Sequence, residues 1–133
     1  MTDIRYGFER MLEGRSFDDA VARVTAALKD EGVGVLTAID VKDTLKKKLD
    51  VDFRRYVILG ACNPQLAHRA LGAEPQIGLL LPCNVVVQET PEGRILVSIA
   101  DPKAMFTLVD NPGVTTVAEE ADARLRRVLK ALS

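Results

Sequence analysis

Apolar side chains recur at helical spacing in two segments of the first half of the chain. The first segment begins after Ser16, a residue type that caps helix N-termini, and is predicted to end at Gly32. Its apolar stripe comprises Phe17, Val21, Val24 and Leu28. The second segment follows Asp40, and its stripe comprises Val41, Leu45 and Leu49. Both patterns predict amphipathic helices with one apolar face.

Around these helices, apolar positions follow the patterns of strands. A loose alternation of apolar and polar residues predicts a first strand that ends before Gly14, with apolar positions at Tyr6, Phe8 and Met11. Residues 33–39 (VGVLTAI) are β-branched and form a short apolar run, which predicts a buried strand. Residues 53–61 (FRRYVILGA) become continuously apolar, which is typical of a strand in the middle of a sheet.

The second half of the chain begins with a helix signal and a hairpin signal. Asn63 and Pro64 are predicted to start a helix, because asparagine caps helices well and proline is tolerated at the first helical position. This helix runs to about Leu71, before Gly72. Residues 85–99 are typical of two strands joined by a turn, which is placed at Pro91-Glu92-Gly93.

Two more helices are predicted toward the C-terminus. Asp101-Pro102 begins a short helix that runs through Leu108, and residues 111–113 (NPG) break it. Residues 116–119 (TVAE) match the capping-box pattern, so the final helix is predicted to begin there. The buried stripe of this helix is predicted to comprise Val117, Ala121, Leu125, Val128 and Leu132.

These elements predict one α+β domain over residues 1–133, with a mostly antiparallel sheet and helices packed on one face. Strands and helices interleave early, and a hairpin completes the sheet late. A single layer of helices leaves the second face or an edge of the sheet uncovered. Because uncovered strand edges tend to pair with another chain, we expect a homodimer.

The composition of the chain indicates which kinds of molecule the protein could bind and where in the cell it is expected. Of 133 residues, 47% are hydrophobic and 28% are charged, with a net charge of -1, as in ordinary globular proteins. The strongest basic cluster, residues 46–48, lies among aspartates, so no nucleic-acid partner is predicted. No apolar run reaches the roughly 18 residues that cross a membrane, and no signal-peptide pattern occurs. We expect no membrane partner and a cytoplasmic location, where both cysteines are reduced.

Two cysteines are the side chains best suited to chemistry. Cys62 directly precedes the helix cap Asn63, where unpaired N–H groups of the first turn can lower the pKa of a thiol. The alternative is a small, buried, apolar residue, which is the common role of a free cysteine. Cys83 follows Pro82 at the start of a strand, so neighbouring strands would place both cysteines at one rim of the sheet. We expect the two thiols to be close together and reduced.

His68 is the only histidine of the chain and lies between the two cysteines in sequence. The buried face of its helix is predicted to comprise Leu66, Ala67, Ala70 and Leu71, and His68 points away from that face. Two thiols without a third soft ligand would leave zinc under-coordinated, so neither a metal nor a cofactor is predicted. Because Cys62 and His68 lie on either side of a strand–helix junction, we do not expect them to meet within one subunit, and no catalytic residue is assigned.

Three stretches of the chain resemble a known family. These are LGACNPQLAHRAL (residues 59–71), IGLLLPCNVVVQE (77–89) and ADPKAMF (100–106). They are similar to the domain-of-unknown-function 302 family of small bacterial and archaeal proteins. The resemblance extends from residue 6 to the final helix and implies a compact, dimeric α+β domain without a settled activity. It marks Asn63, Pro64, Leu81 and Pro82 as family positions, and the two cysteines as features of one branch.

The leading functional hypothesis is a dimeric domain that binds a small ligand or a protein partner near the strand ends. The candidate ligand-binding residues are Cys62, Asn63, Pro64, His68, Pro82 and Cys83. A first alternative is a thiol enzyme or redox sensor that uses Cys62 as its reactive group. A second alternative is an interaction module with no site of its own. Whether the protein is an enzyme stays open at this point.

Overall fold

Five strands form one antiparallel sheet in the computed structural model, which describes residues 4–132. The strands are β1 (Gly7–Leu12), β2 (Gly34–Asp40), β3 (Tyr56–Cys62), β4 (Cys83–Glu89) and β5 (Ile95–Ala100). Their order across the sheet is β1-β5-β4-β3-β2, and all four neighbouring pairs are antiparallel. The helices are α1 (Phe17–Asp30), α2 (Val41–Leu49), α3 (Pro64–Ala73), α4 (Pro102–Phe106) and α5 (Pro112–Ala131), and a 3-10 helix spans Pro75–Leu80.

The main core lies between the sheet and two helices on one of its faces. Alternate residues of β4 and β5 are buried, because successive side chains of a strand point to opposite faces, and β3 buries three consecutive residues, Leu59, Gly60 and Ala61. The apolar stripe of α1 and the C-terminal half of α5 pack on them; the helix residues are Phe17, Ala20, Val24, Leu28, Leu125 and Val128. This arrangement confirms the predicted α+β class.

A second, smaller core lies beyond the end of the sheet. It is formed by α3, the 3-10 helix, α4 and the N-terminal half of α5, and its buried residues are Leu66, Ala70, Ile77, Phe106, Val114, Val117 and Ala118. Helix α5 is 20 residues long and contributes to both cores. The two cores therefore meet along α5, near the strand ends that carry the two cysteines.

A charged group fixes α4 against α5 at this end of the molecule. Asp122 of α5 is buried, with 5% of the residue exposed. It accepts hydrogen bonds of 3.1 and 3.0 Å from Nε of Arg126 and lies 3.8 Å from Nζ of Lys103 in α4. Arg126 also stacks over the ring of Phe8 in β1 at 4.5 Å. These contacts hold α4, and with it Phe106, in a defined position.

The prediction of a buried strand over residues 33–39 is wrong. Among the strands of residues 4–132, β2 lies at the edge of the sheet and pairs with β3 alone. Leu36 is 67% exposed and Ile39 is 50% exposed, and most other residues of the strand are also exposed. The apolar composition of a short segment favours a strand, but the order of strands in the sheet decides whether its faces are covered.

The predicted start of the final helix is also wrong. Helix α5 begins at Pro112, and the side chain of Asn111 caps it by accepting a hydrogen bond of 2.9 Å from the N–H of Gly113. Thr116 lies inside the helix, where its hydroxyl donates to the carbonyl of Pro112 at 3.1 Å. Because asparagine followed by proline is itself a strong helix start, residues 111–113 begin α5 rather than only ending the preceding helix.

Within residues 4–132, no helix is both long enough and apolar enough to cross a bilayer.

Candidate functional site

A small cavity lies where the main core meets the second core. Its volume is about 40 Å³, and its walls come from the end of β3, the start of β4, helix α3, helix α4 and helix α5. The walls are almost entirely apolar; the residues that define them best are Cys62, Leu66, Cys83, Phe106, Ala121 and Leu125. The cavity results from the way these five elements meet.

The sheet brings the two cysteines to this cavity. Cys83, the first residue of β4, lies opposite Ala61 in β3, and Ala61 directly precedes Cys62. Both cysteines are free and only partly buried, and both contribute to the cavity wall. The thiol of Cys62 donates a weak hydrogen bond to the carbonyl of Asn63, with 3.5 Å between sulfur and oxygen. The structure thus places the two thiols at one rim of the sheet, as the strand pattern predicted.

Asn63 fixes the chain at the point where β3 becomes α3. Its Oδ1 accepts a hydrogen bond of 2.9 Å from the N–H of Leu66, which makes it the cap of α3. Its Nδ2 donates to the carbonyl of Gly32, at the end of α1, over 2.8 Å. Both polar atoms of the side chain are therefore occupied by the protein, and Asn63 contributes to the cavity as a positioning residue.

Burial makes both thiols weaker acids than free cysteine. It raises the pKa of Cys62, and it raises the pKa of Cys83 from 9.0 to about 11, with a smaller contribution from the negative charge on Cys62. The sequence had suggested that the start of α3 would lower the pKa of Cys62. The pKa of Cys62 is raised instead, because burial of the thiol disfavours its charged form.

Three of the sequence-predicted residues lie away from the cavity wall. Pro64 and His68 are exposed on α3, and His68 points away from the buried face as its helical position predicted. Pro82 packs near Gly60, where a Cβ atom would lie 2.8 Å from Cγ of Pro82. Gly60 alternates with the core-facing residues of β3, so Pro82 lies toward the other face of the sheet. The structure therefore brings together only Cys62, Asn63 and Cys83.

The sequence did not reveal the apolar walls as parts of a site. Helical spacing predicts Ala121 and Leu125 as part of the buried stripe of the final helix, and Leu66 as part of the buried face of α3. Phe106 carried no signal beyond its place in a short helix. Apolar spacing identifies a buried face, but it does not show that several such faces leave a gap between them.

In the part of the chain from residue 4 to residue 132, no three or more His, Cys, Asp or Glu side chains are grouped so that they could hold a metal ion.

The fold and the cavity define a class of small α+β domain. It has one antiparallel sheet, two helices packed on the sheet, and a cavity lined by two cysteines at the end of the sheet. The model of the family described as "Domain of unknown function DUF302" matches residues 8–132. The chain belongs to this family. It is also similar to the crystal structure of an uncharacterised conserved DUF302 protein from Bacillus stearothermophilus, with 28% sequence identity and a TM-score of 0.86. That similarity covers 96% of this chain and 98% of the other. No curated protein matches the sequence.

Proposed function

We propose that this domain is a binding protein that recognises an apolar group of a small molecule in the cavity beside Cys62 and Cys83. The observation that supports the proposal is the cavity itself. A close-packed core leaves few voids, and this one lies at the junction of five elements with apolar walls. Burial of an apolar group in such a space is favourable without any polar partner.

The size of the cavity restricts what can enter. Its volume of about 40 Å³ exceeds the roughly 10–15 Å³ that a single water centre needs. It is far smaller than the roughly 300 Å³ at which pockets begin to enclose drug-sized ligands. The ligand therefore inserts one apolar end, and the rest of it lies outside, over the half-buried Cys62.

Two alternative functions are less consistent with the cavity than a binding protein is. A thiol enzyme or a redox sensor needs an accessible thiolate at neutral pH, and the raised pKa values of both thiols oppose that role. An interaction module without its own site would need no cavity between the two cores. The cavity therefore favours the binding protein over both.

A titration with small organic molecules tests the proposal. We expect butanol, phenol or indole to give saturable changes in the amide NMR signals of Leu66 and Ala121. Replacing Ala121 by Leu fills the cavity and should abolish the changes. The matched control is Ala123→Leu, on the exposed side of the same helix, which should bind like the wild type. Absence of saturable binding, or equal binding by the filled variant, would overturn the proposal.

The proposed binding protein is a homodimer. Strand β2 supports this assembly, because it is an edge strand whose exposed residues include Leu36 and Ile39. An exposed apolar edge strand is a template for pairing with another strand, and two copies of β2 can pair about a two-fold axis.

The proposed location is the cytoplasm. Both cysteines are free, although they lie on neighbouring strands, and thiols of this kind persist in a reducing compartment. Alkylation of the thiols in acid-quenched cells, followed by mass spectrometry, should find both cysteines reduced. A disulfide in most of the recovered protein would contradict the proposed location.

A further inference from the structure

The two most exposed large apolar side chains of residues 4–132 lie in one groove on the second core. Leu79 in the 3-10 helix is 84% exposed, and Leu108, between α4 and α5, is 81% exposed. Both line a groove of about 420 Å³, whose other apolar residues are the buried Ile77 and the half-buried Leu80 and Val109. Single exposed apolar residues are common on protein surfaces, but exposed leucines next to further apolar residues are typical of an interaction site.

This groove continues along the N-terminal half of α5. A neighbouring depression, also of about 420 Å³, shares Val109 and Asp110 with the first and extends to Thr115 and Glu119 of α5. We call the two together the second-core groove. Thr115 and Glu119 lie about one helical turn apart, so the groove runs along the helix and is elongated. An elongated groove with apolar residues is the shape in which an amphipathic helix binds.

The rim of the second-core groove is acidic. Its carboxylates belong to Glu74, Asp110 and Glu119, and none of the three forms an ion pair with another residue of the described chain. Among the described residues, the lining contains a single cation, Lys103, whose Nζ lies 3.8 Å from a carboxylate oxygen of Asp122. The whole chain carries a net charge of only -1, so the acidic rim is a local feature.

We propose that the second-core groove binds an amphipathic helix of a partner protein, with large apolar residues on one face and lysine or arginine beside them. The apolar residues contact Leu79 and Leu108, and the cations face the carboxylates of the rim. Charges at the rim of an interface attract and orient a partner of opposite charge. This docking is independent of the small-molecule cavity, because none of the groove residues named above lines that cavity.

Other occupants fit the second-core groove less well. A second copy of this chain offers α2 as an exposed helix with several lysines, but Lys46 and Lys47 are already paired with Asp50 and Asp43. The cytoplasmic surface of a membrane carries anionic lipids, which the carboxylates of the rim repel. A basic helix from another protein meets neither obstacle.

Binding of a synthetic peptide tests the groove. The probe is a fluorescein-labelled peptide of leucine and lysine, about 14 residues long, with leucines at every third or fourth position. Fluorescence anisotropy should show saturable binding of one peptide per chain, which weakens as the salt concentration is raised. A peptide with glutamate in place of lysine is the matched probe and should bind at least about tenfold more weakly. Equal binding of the two peptides, or no saturable binding of the lysine peptide, would overturn the proposal.

Variants of the exposed leucines locate the binding surface. Leu79→Ala and Leu108→Ala should each weaken binding of the lysine peptide about tenfold, the effect expected of a central apolar contact. Both side chains are exposed, so these variants should fold like the wild type. Leu49→Ala removes an exposed leucine of α2 and is the matched control, which should bind like the wild type. Unchanged binding by both groove variants would refute binding in the groove.

The acidic rim and the other occupants have separate tests. Combining Asp110→Asn with Glu119→Gln should weaken peptide binding and reduce its dependence on salt. Leu108→Ala should keep the oligomeric state of the wild type in sedimentation, and the wild type should not pellet with vesicles of phosphatidylcholine and phosphatidylserine. Self-association or vesicle binding that Leu108→Ala abolishes would assign the groove to a second copy or to a membrane and overturn the proposal.

The groove and the small-molecule cavity are tested independently. Ala121→Leu fills the cavity and should still bind the lysine peptide like the wild type. Peptide binding without binding of the small organic molecules would refute the proposed function alone. The opposite result would refute the groove alone.

Discussion

At the scale of single residues, two asparagines have the same double role. Asn63 caps α3 and donates to the carbonyl of Gly32 at the end of α1. Asn111 caps α5 and donates to the carbonyl of Ala73 at the end of α3, over 2.9 Å. In each case the oxygen satisfies an N–H at the start of one helix and the nitrogen satisfies a carbonyl at the end of another. Each asparagine thereby fixes the position of one helix relative to another.

We expect Asn63→Ala to lower the free energy of unfolding by about 1–2 kcal/mol, because it removes a helix cap and a second hydrogen bond. Urea unfolding measures the loss. Asn63→Asp is the matched control, since it keeps the acceptor for Leu66 but has no N–H for Gly32, and its loss should be smaller. An unchanged unfolding midpoint for Asn63→Ala would show that this residue is not the cap.

Cys83 should make the protein less stable at alkaline pH. Its pKa is raised from 9.0 to about 11, so the unfolded chain loses this proton at a lower pH than the folded protein. The folded state then binds more protons than the unfolded state, and the free energy of unfolding falls between pH 9 and 11. The expected total is about 2–3 kcal/mol.

Urea unfolding at several pH values measures this effect. The comparison with Cys83→Ala separates the contribution of this thiol from those of all other groups. The variant should lose less stability than the wild type between neutral and alkaline pH. Parallel pH curves for the two proteins would refute the raised pKa.

At the scale of elements, α5 organises the molecule because it belongs to both cores. Its C-terminal half packs on the sheet through Leu125 and Val128, and its N-terminal half packs on α3 and α4 through Val114 and Val117. The cavity lies along this helix between its two packing regions. The position at which α5 begins therefore affects the second core and the cavity together.

Two substitutions distinguish the cap of α5 from the capping-box pattern. We expect Asn111→Ala to cost about 1–2 kcal/mol, because the cap and the bond to Ala73 are both lost. Thr116→Ala should change the free energy of unfolding by no more than about 0.5 kcal/mol, because Thr116 lies beyond the first residues of α5 and its side chain is exposed to solvent. Thermal or urea unfolding of both variants provides the comparison. A larger loss for Thr116→Ala than for Asn111→Ala would place the helix start at the capping box.

At the scale of the whole molecule, the two edges of the sheet differ. Edge strand β1 carries Glu9 and Arg10, and Arg10 donates to the carbonyls of Leu129 and Lys130 at 3.0 Å each. Edge strand β2 has no charged residue before Asp40, and its pairing with β3 is regular from residue 37 to residue 40. Charges discourage edge pairing, so β2 is the edge suited to a second copy.

We expect the wild-type protein to have twice the chain mass at micromolar concentration in sedimentation or light-scattering experiments. Leu36→Lys should shift the protein to the monomer, because it places a charge on the exposed apolar edge of β2, next to the regularly paired residues 37–40. Ala26→Lys, on the exposed surface of α1, is the control and should leave the dimer intact. A monomeric wild type, or a dimeric Leu36→Lys variant, would contradict this assembly.

The local features of this protein follow from its sequence pattern. Ser16, Asp40 and Asn63 cap their helices as the pattern predicted, and the turn near Gly93 joins β4 to β5. These features depend on backbone conformation and on hydrogen bonds between residues a few positions apart. The same local signals supported the family resemblance, which the family match over residues 8–132 confirmed.

Other features arise from contacts between distant parts of the chain, and a local pattern does not predict them. The exposure of β2 depends on strand order, since an apolar segment has the same local pattern at an edge or in the centre. At residues 111–119 two local helix starts compete, and the bond from Asn111 to Ala73 favours the first. The raised pKa values of Cys62 and Cys83 and the cavity beside them arise because five elements meet there and exclude water from the thiols.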